Sequence, residues 1–338
     1  MNRKGICVAG NMIVDVLYPI RGFPPPGELT NILEGISRSS GGAVCNVTAD
    51  LAALDPDLPL SALGRVGLDG EGDFLLERLG KYPNIDLSGV KRGGLTSFTV
   101  VMADEVTKQR TFFYYRGANA CFCEADINWD AIDAAFLHIG YILLLDALDA
   151  EDAEFGTKMA RLLREARRRG IKTSLDVVSE AGSRFKRLVP PALKYADYCI
   201  INELEAEQIT GVPLRDGGAL ISANMREALE KIRASGVSAW ALIHCPEGGF
   251  GLDQEGRYEA APSLALPEGY IKGTVGAGDA FCAGALYGAY KGMSLKEGIE
   301  LGIASAACSL SEPGAAEGMR SAEEAMALYR KLRKNRRP

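Results

Sequence analysis

The stretch Gly273-Thr-Val-Gly-Ala-Gly-Asp279, running on into Ala280-Phe-Cys-Ala-Gly-Ala-Leu-Tyr-Gly288, sets the reading of this chain. Its second half is apolar, rich in small residues and compatible with a helix. Gly276 and Gly278 let the backbone turn sharply and leave N–H groups exposed. At a helix N-terminus such groups, together with the macrodipole, favour an anion. A phosphoryl group in transit spreads negative charge over its oxygens, and aimed N–H donors stabilise it. A carboxylate at the same helix start can take the proton of an attacking hydroxyl. The residues alone leave two readings open. One is a glycine turn capped by Asp279, since Asp is a favoured N-cap. The other is an anion cradle of Gly276, Ala277 and Gly278 with Asp279 as base. No Gly-Lys-Ser/Thr follows, which excludes a P-loop. Phe281 stands where a dinucleotide fingerprint needs its third glycine.

Outward from this stretch, short apolar runs alternate with helical patterns. Candidate strands are 6–9, 60–66, 135–139, 172–176, 198–201 and 239–244; candidate helices are 44–54, 72–79, 150–169 and 225–235. This alternation predicts a doubly wound α/β fold, a mostly parallel sheet with helices on both faces. Ligands then bind beyond the carboxyl ends of the strands. One segment differs in kind. Runs rich in β-branched and aromatic residues at 96–102 and 110–115 flank the polar stretch 104–108, which is a hairpin signature. It predicts a small separate β sheet.

The chain has 338 residues, 47% of them hydrophobic and 24% charged, enough for a sizeable core. A net charge of −6 and a pI near 5.3 carry no electrostatic footprint for nucleic acid or an anionic membrane. The basic tail (Lys331, Arg333, Lys334, Arg336, Arg337) reads as a solvated helix end. The eight Cys form no C-x-x-C pair, and the two His, His138 and His244, read as structural residues at strand ends. No apolar run reaches membrane-spanning length, and the N-terminus lacks a signal-peptide core. A soluble, cytoplasmic protein with reduced thiols is expected.

With these residues in view, the chain resembles the ribokinase-like (PfkB) carbohydrate kinases, whose C-terminal signature is usually Asp-Thr-x-Gly-Ala-Gly-Asp. Other matches lie in the family's order: Gly10-Asn-Met-Ile-Val-Asp15, Pro26-Gly-Glu28, Ser40-Gly-Gly-Ala-Val-Cys-Asn46, Gly64-Arg-Val-Gly-Leu-Asp-Gly-Glu-Gly72 and Asn202-Glu-Leu-Glu205. The resemblance spans residues 5 to 318. It implies an ATP-dependent kinase for a sugar-like hydroxyl, with Asp279 as base and the backbone of Gly276, Ala277 and Gly278 as anion hole. It implies substrate contacts from Asp15, Gly41, Gly42 and Asn46. Arg116 is a further candidate, suited to an anionic group such as a sugar acid. On the nucleotide side it implies Asn202, Glu205, Thr274 and Gly249, with Glu205 reaching Mg2+ indirectly. The expected organisation is a core of 1–12, 40–94 and 119–338 with a β lid of 13–39 and 95–118. A homodimer through the lid follows from the same resemblance.

The chain departs from the pattern at three places. Gly273 replaces the first Asp of the signature, in a region that helps hold a monovalent cation, so potassium activation is left open. Pro246 stands where a glycine is common. Ile13 stands where members with a ribose site often carry Asn. Asp176, at a strand end, reads either as a turn former or as a residue reaching a ligand. The same scaffold also serves nucleoside kinases, and a non-catalytic sugar-binding regulator is a third class.

Overall fold

The computed structural model describes residues 3–107, 109–179 and 184–333. Lys108 of the expected hairpin turn and Lys334, Arg336 and Arg337 of the basic tail lie outside them.

The first strand, β1 (Ile6–Gly10), is buried at every position. Its side chains alternate between two cores: Ile6 and Val8 join one, Cys7 and Ala9 the other. Period-two alternation with apolar residues on both sides requires cover on both faces. β4 (Leu60–Val66) and β9 (Phe136–Ile142) pair with β1 in parallel. Beyond β4 come β5 (Ile85–Asp86) and β6 (Val90–Arg92). Beyond β9 come β12 (Lys172–Val177), β13 (Tyr198–Asn202) and β16 (Trp240–Cys245), all parallel. The edge then turns antiparallel through β17 (Gly248–Leu252) and β18 (Tyr258–Pro262). Pro246 and Glu247 form the tight turn between β16 and β17, so the proline meets no ladder demand there.

One face is covered by α1 (Ala43–Leu54), α8 (Ala277–Tyr290), α9 (Leu295–Ser309) and α10 (Ala322–Arg333), with α2 (Gly70–Leu79) at its margin. The other is covered by α3 (Asp146–Asp149), α4 (Lys158–Arg168), α5 (Phe185–Leu193), α6 (Glu203–Thr210) and α7 (Met225–Ala234). Two-residue ribbons, β10 (Glu151–Asp152) with β11 (Gly156–Thr157) and β14 (Arg215–Asp216) with β15 (Ala219–Leu220), decorate this second face.

A second sheet of four strands stands apart, in the order β3 (Ser37–Gly41), β2 (Ile13–Ile20), β7 (Ser97–Asp104) and β8 (Arg110–Tyr115). Its root is tied to the core by Asn119. Asn119 Nδ2 donates to the Met12 carbonyl and its Oδ1 accepts from Met12 N–H, both at 3.1 Å. The far end of β8 leaves Phe112 and Phe113 exposed.

Two local expectations are corrected. The helix expected over 150–169 begins only at Lys158. Gly156 adopts φ 85° in the preceding ribbon, and Thr157 caps α4 by accepting from Ala160 N–H. His138 lies inside β9 rather than at its end, fully buried, with Nδ1 3.0 Å from Ser174 Oγ. Burial holds its pKa down to about 4, so it is a neutral core histidine.

Candidate active site

The carboxyl ends of β1, β9, β12, β13 and β16 open onto one crevice, and α8 starts beside it. Gly276 is the N-cap of α8 at φ 80°, a conformation that favours glycine. A Cβ there would also collide with Ala315. No side chain caps this helix. The first N–H groups of an α-helix have no intrahelical acceptor, so those of Ala277, Gly278 and Asp279 remain available.

Asp279 follows in the first turn and is buried. Asn46 Nδ2 donates to its Oδ2 at 2.8 Å and Tyr141 Oη donates to its Oδ1 at 2.6 Å. Burial raises its pKa above the ordinary aspartate value, while these two donors pull it back. Asn46 comes from α1 and Tyr141 from β9, so three elements converge on one carboxylate. Asn46 Oδ1 is buried without a hydrogen-bond partner, as is Asn11 Nδ2 at the end of β1. Buried polar atoms of this kind ordinarily find partners.

Asp15 lies on β2, opposite Ser39 on β3 and Thr99 on β7. Burial raises its pKa; Thr99 opposes the shift through a hydrogen bond and the nearby Asp279 charge adds to it. Gly41 is packed against the Asp15 carboxylate, where a Cβ would collide with Oδ2. Gly42 begins α1 at φ 83°, pressed against the Asn11 carbonyl. Arg116 donates to the Leu143 carbonyl at 2.9 Å and pairs with Asp146 at 2.8 Å.

On the other side of the α8 terminus lies a cavity of about 580 Å³. Its walls are largely apolar, with Leu264, Ile271, Phe281 and Ile303 among them, and Asn202, Thr274, Ala277 and Gly278 line it too. His244 also faces it, its ring 5.0 Å from that of Phe281, and burial holds its pKa down to about 4. Gly248 lines the cavity; Gly249 instead packs against Phe281 and Ile299.

Asn202 and Glu205 close on each other. Asn202 Oδ1 accepts from Glu205 N–H and Glu205 Oε2 accepts from Asn202 N–H, both at 2.9 Å, a capping box at the start of α6. Ser179 Oγ donates to Glu205 Oε1 at 2.9 Å. Burial raises the pKa of Glu205 above the usual carboxylate range. Asp176, at the end of β12, is raised further by burial and by the Glu205 and Asp279 charges. Among the described residues no group of three or more His, Cys, Asp or Glu side chains could hold a metal ion. Gly273 packs against the backbone of Glu312 and Pro313, where a Cβ would crowd the chain.

The sequence reading passed over Tyr141, Thr99 and Ser179. Tyr141 sits in an apolar run, His138-Ile-Gly-Tyr-Ile-Leu-Leu-Leu145, where an aromatic reads as core. No local signal separates it from its neighbours.

A helix start that no side chain caps and a buried carboxylate lie together between a polar crevice and an apolar cavity at the carboxyl edge of a doubly wound sheet, an arrangement suited to group transfer. The pfkB family carbohydrate kinase profile matches residues 3–322, and the chain belongs to that family. It is 25% identical over 305 residues to the 2-dehydro-3-deoxygluconokinase of Bacillus subtilis (strain 168), covering 85% of this chain and 86% of that one. The Arabidopsis thaliana ribokinase complexed with ribose and ATP superposes with a TM-score of 0.79 at 21% identity, covering 97% of this chain and 99% of that one. A putative ribokinase II from E. coli in complex with ATP and Mg2+ superposes with a TM-score of 0.74 at 16% identity, covering 97% and 99%. The chain is a carbohydrate kinase with the ribokinase fold. No helix among the described residues is long and apolar enough to cross a membrane.

Proposed function

We propose that this chain transfers the γ-phosphoryl group of ATP directly to a hydroxyl of a sugar or sugar-like acid, with Asp279 as general base. The observation that carries the reading is the buried Asp279 carboxylate, held by two donors at the uncapped start of α8. Asp279 takes the proton of the acceptor hydroxyl. The acceptor oxygen forms its bond to the γ-phosphorus as the bond to the ADP oxygen breaks. The N–H groups of Ala277 and Gly278, presented by the Gly276 turn, meet the charge that develops on the phosphoryl oxygens.

The apolar cavity suits a nucleotide base in size and lining, and its Gly278 end leads to the anion-binding turn. Thr274 and Asn202 flank the phosphates. Mg2+, when bound, neutralises phosphate charge and draws most of its ligands from phosphates and water. Glu205, held beside Asn202, would act on Mg2+ through water. Gly273 packs against the 312–313 backbone, which leaves little room for the aspartate usual at this position of the signature, and potassium activation stays open.

Asp15, Gly41, Gly42 and Asn46 orient the acceptor, and the unpartnered Asn46 Oδ1 receives one of its hydroxyls. The name of the Bacillus relative makes a sugar acid the first acceptor to try. Its carboxylate would compete with the half-exposed Asp146 for Arg116. The four-stranded sheet acts as a lid that excludes water during transfer. Its exposed Phe112, Phe113 and Tyr115 offer a second copy of the chain an apolar surface to cover. ATP as donor and eight free thiols suit the cytoplasm.

The test is ADP release with ATP and Mg2+ across sugars, sugar acids, sugar phosphates and nucleosides. Acceptor-dependent release with a sugar or sugar acid supports the reading. Preference for a nucleoside over every sugar would make the chain a nucleoside kinase. Tight sugar binding with no release would make it a binding protein.

A further inference from the structure

We infer that Tyr141 is the positioning residue for the catalytic base: its hydroxyl holds Asp279 Oδ1 in place while Asn46 holds Oδ2, leaving the remaining lone pairs for the acceptor hydroxyl. The inference rests on Asp279 being the base. It goes beyond that reading by assigning a role to a residue that no sequence motif marks.

Tyr141 and Asp279 lie 138 residues apart and meet at 2.6 Å, a charge-assisted contact in the short range. The Tyr141 backbone N–H donates to Asn11 Oδ1, fixing the end of β9 against the end of β1. Its ring packs against the apolar core shared by α1 and α8. Ring and backbone are therefore anchored independently of the hydroxyl. An ionised carboxylate accepts at about four lone-pair positions, so two donors leave room for the acceptor.

Electrostatics give the hydroxyl its function. Asp279 is buried, and without hydrogen-bond donors a buried carboxylate tends to be neutral. A neutral acid cannot take a proton. The carboxylates that bear on this site make the problem harder: Asp15 on β2, Asp50 on α1, Asp176 at the end of β12 and, through Tyr141, Glu205 on α6. His244, beside Gly278, and His138, beside Cys282, are held neutral by burial. Burial also pushes the thiols of Cys45 and Cys282 up, so neither adds charge. Burial and the neighbouring carboxylates raise the Tyr141 phenol well above its ordinary value. It stays protonated and can only donate to Asp279. Two donors, Tyr141 and Asn46, thus keep the base ionised in an acidic crevice.

The test is Tyr141→Phe, which keeps the ring and removes the donor. The sign follows from the loss of a group that favours the charged form. The Asp279 pKa rises, and the acid limb of the kcat/KM–pH profile moves to higher pH. On the acid limb, below the Asp279 pKa of both proteins, the variant should be slower by about tenfold, the order expected for a lost hydrogen bond to a charged group. The gap should close toward pH 9, and KM for ATP should stay near that of the parent. In an Asp279→Asn background, Tyr141→Phe should cause little further loss. A uniform loss at every pH would mark a structural role and overturn the inference, and so would an unmoved acid limb. If Asp279→Asn alone kept near-parental turnover, the reading of Asp279 as base would fail, a result distinct from failure of the Tyr141 assignment.

Discussion

Of the helices that begin at the carboxyl edge of the sheet, α6 and α8 finish their first turns in opposite ways. At α6 the Asn202 and Glu205 side chains each take the other's backbone N–H, and Ser179 fills a further position on Glu205. At α8 a glycine in the left-handed region opens the helix and no side chain caps it. Both starts carry acidic residues, yet at α6 the Asn202 and Glu205 N–H groups are taken by the helix's own side chains, whereas no side chain takes those of α8. An acidic residue near a helix start therefore does not by itself mark a phosphate site. What matters is whether the first N–H groups have already been taken.

The sharpest way to break this contrast is to close the α8 turn. In Gly276→Val the side chain meets Ala315 and the φ of 80° becomes strained. Turnover should fall by about a hundredfold or more, the order seen when oxyanion donors are lost. Nucleotide binding followed by fluorescence titration should survive far better than turnover. Equal activity in this variant would mean that the α8 donors do not carry the transfer.

A second prediction concerns a carboxyl with no donors. Asp50 lies one turn beyond Asn46 on α1, fully buried, with neither oxygen hydrogen-bonded. Burial, with Asp279 and Glu317 adding to it, raises its pKa well above the usual value. The folded state then binds this proton more tightly than the unfolded state. Its favourable contribution is present below the unfolded aspartate pKa and is lost as pH rises through the folded value. Asp50→Ala should accordingly stabilise the protein at pH 8, by about 1–3 kcal/mol for relief of an unsatisfied buried group. Thermal melts at pH 8 and pH 5 check it: the gain should shrink at the lower pH. A variant less stable than the parent at pH 8 would mean that Asp50 has an unseen partner.

The smallest effect belongs to α6. Asn202→Ala removes an N-cap, which costs about 1 kcal/mol and roughly 2 °C in Tm. Calorimetry reads the stability, and turnover should fall far less than in the Gly276 variant. A loss of turnover as large as that at Gly276 would give α6 a direct part in transfer.

Much of the scaffold was legible because its signals are local. The β-branched and aromatic run at Arg110–Tyr115 and the apolar run at Leu60–Val66 each became strands with the expected bounds. The start of α4 was not, because Gly156 and Thr157 impose a turn and a cap inside an otherwise helical pattern. In the site, the spacing of Asn202 and Glu205 also spells a capping box, a reading the motif alone left aside. Asp279 stood out through the glycines that precede it. Asn46 was expected to contact substrate, not Asp279, and Tyr141 was not marked at all: they lie 233 and 138 residues from Asp279, and only the packing of α1, α8 and β9 brings them together. Tyr141 in particular is an aromatic in an apolar strand, where composition predicts core.

The most direct test of the central claim is the rate of acceptor-dependent ADP release by Asp279→Asn beside the parent protein, on the best acceptor found. Loss of turnover by about a thousandfold or more, with acceptor and nucleotide affinity largely kept, is the result expected when a base and its charge are removed together. Near-parental turnover in Asp279→Asn would contradict the account.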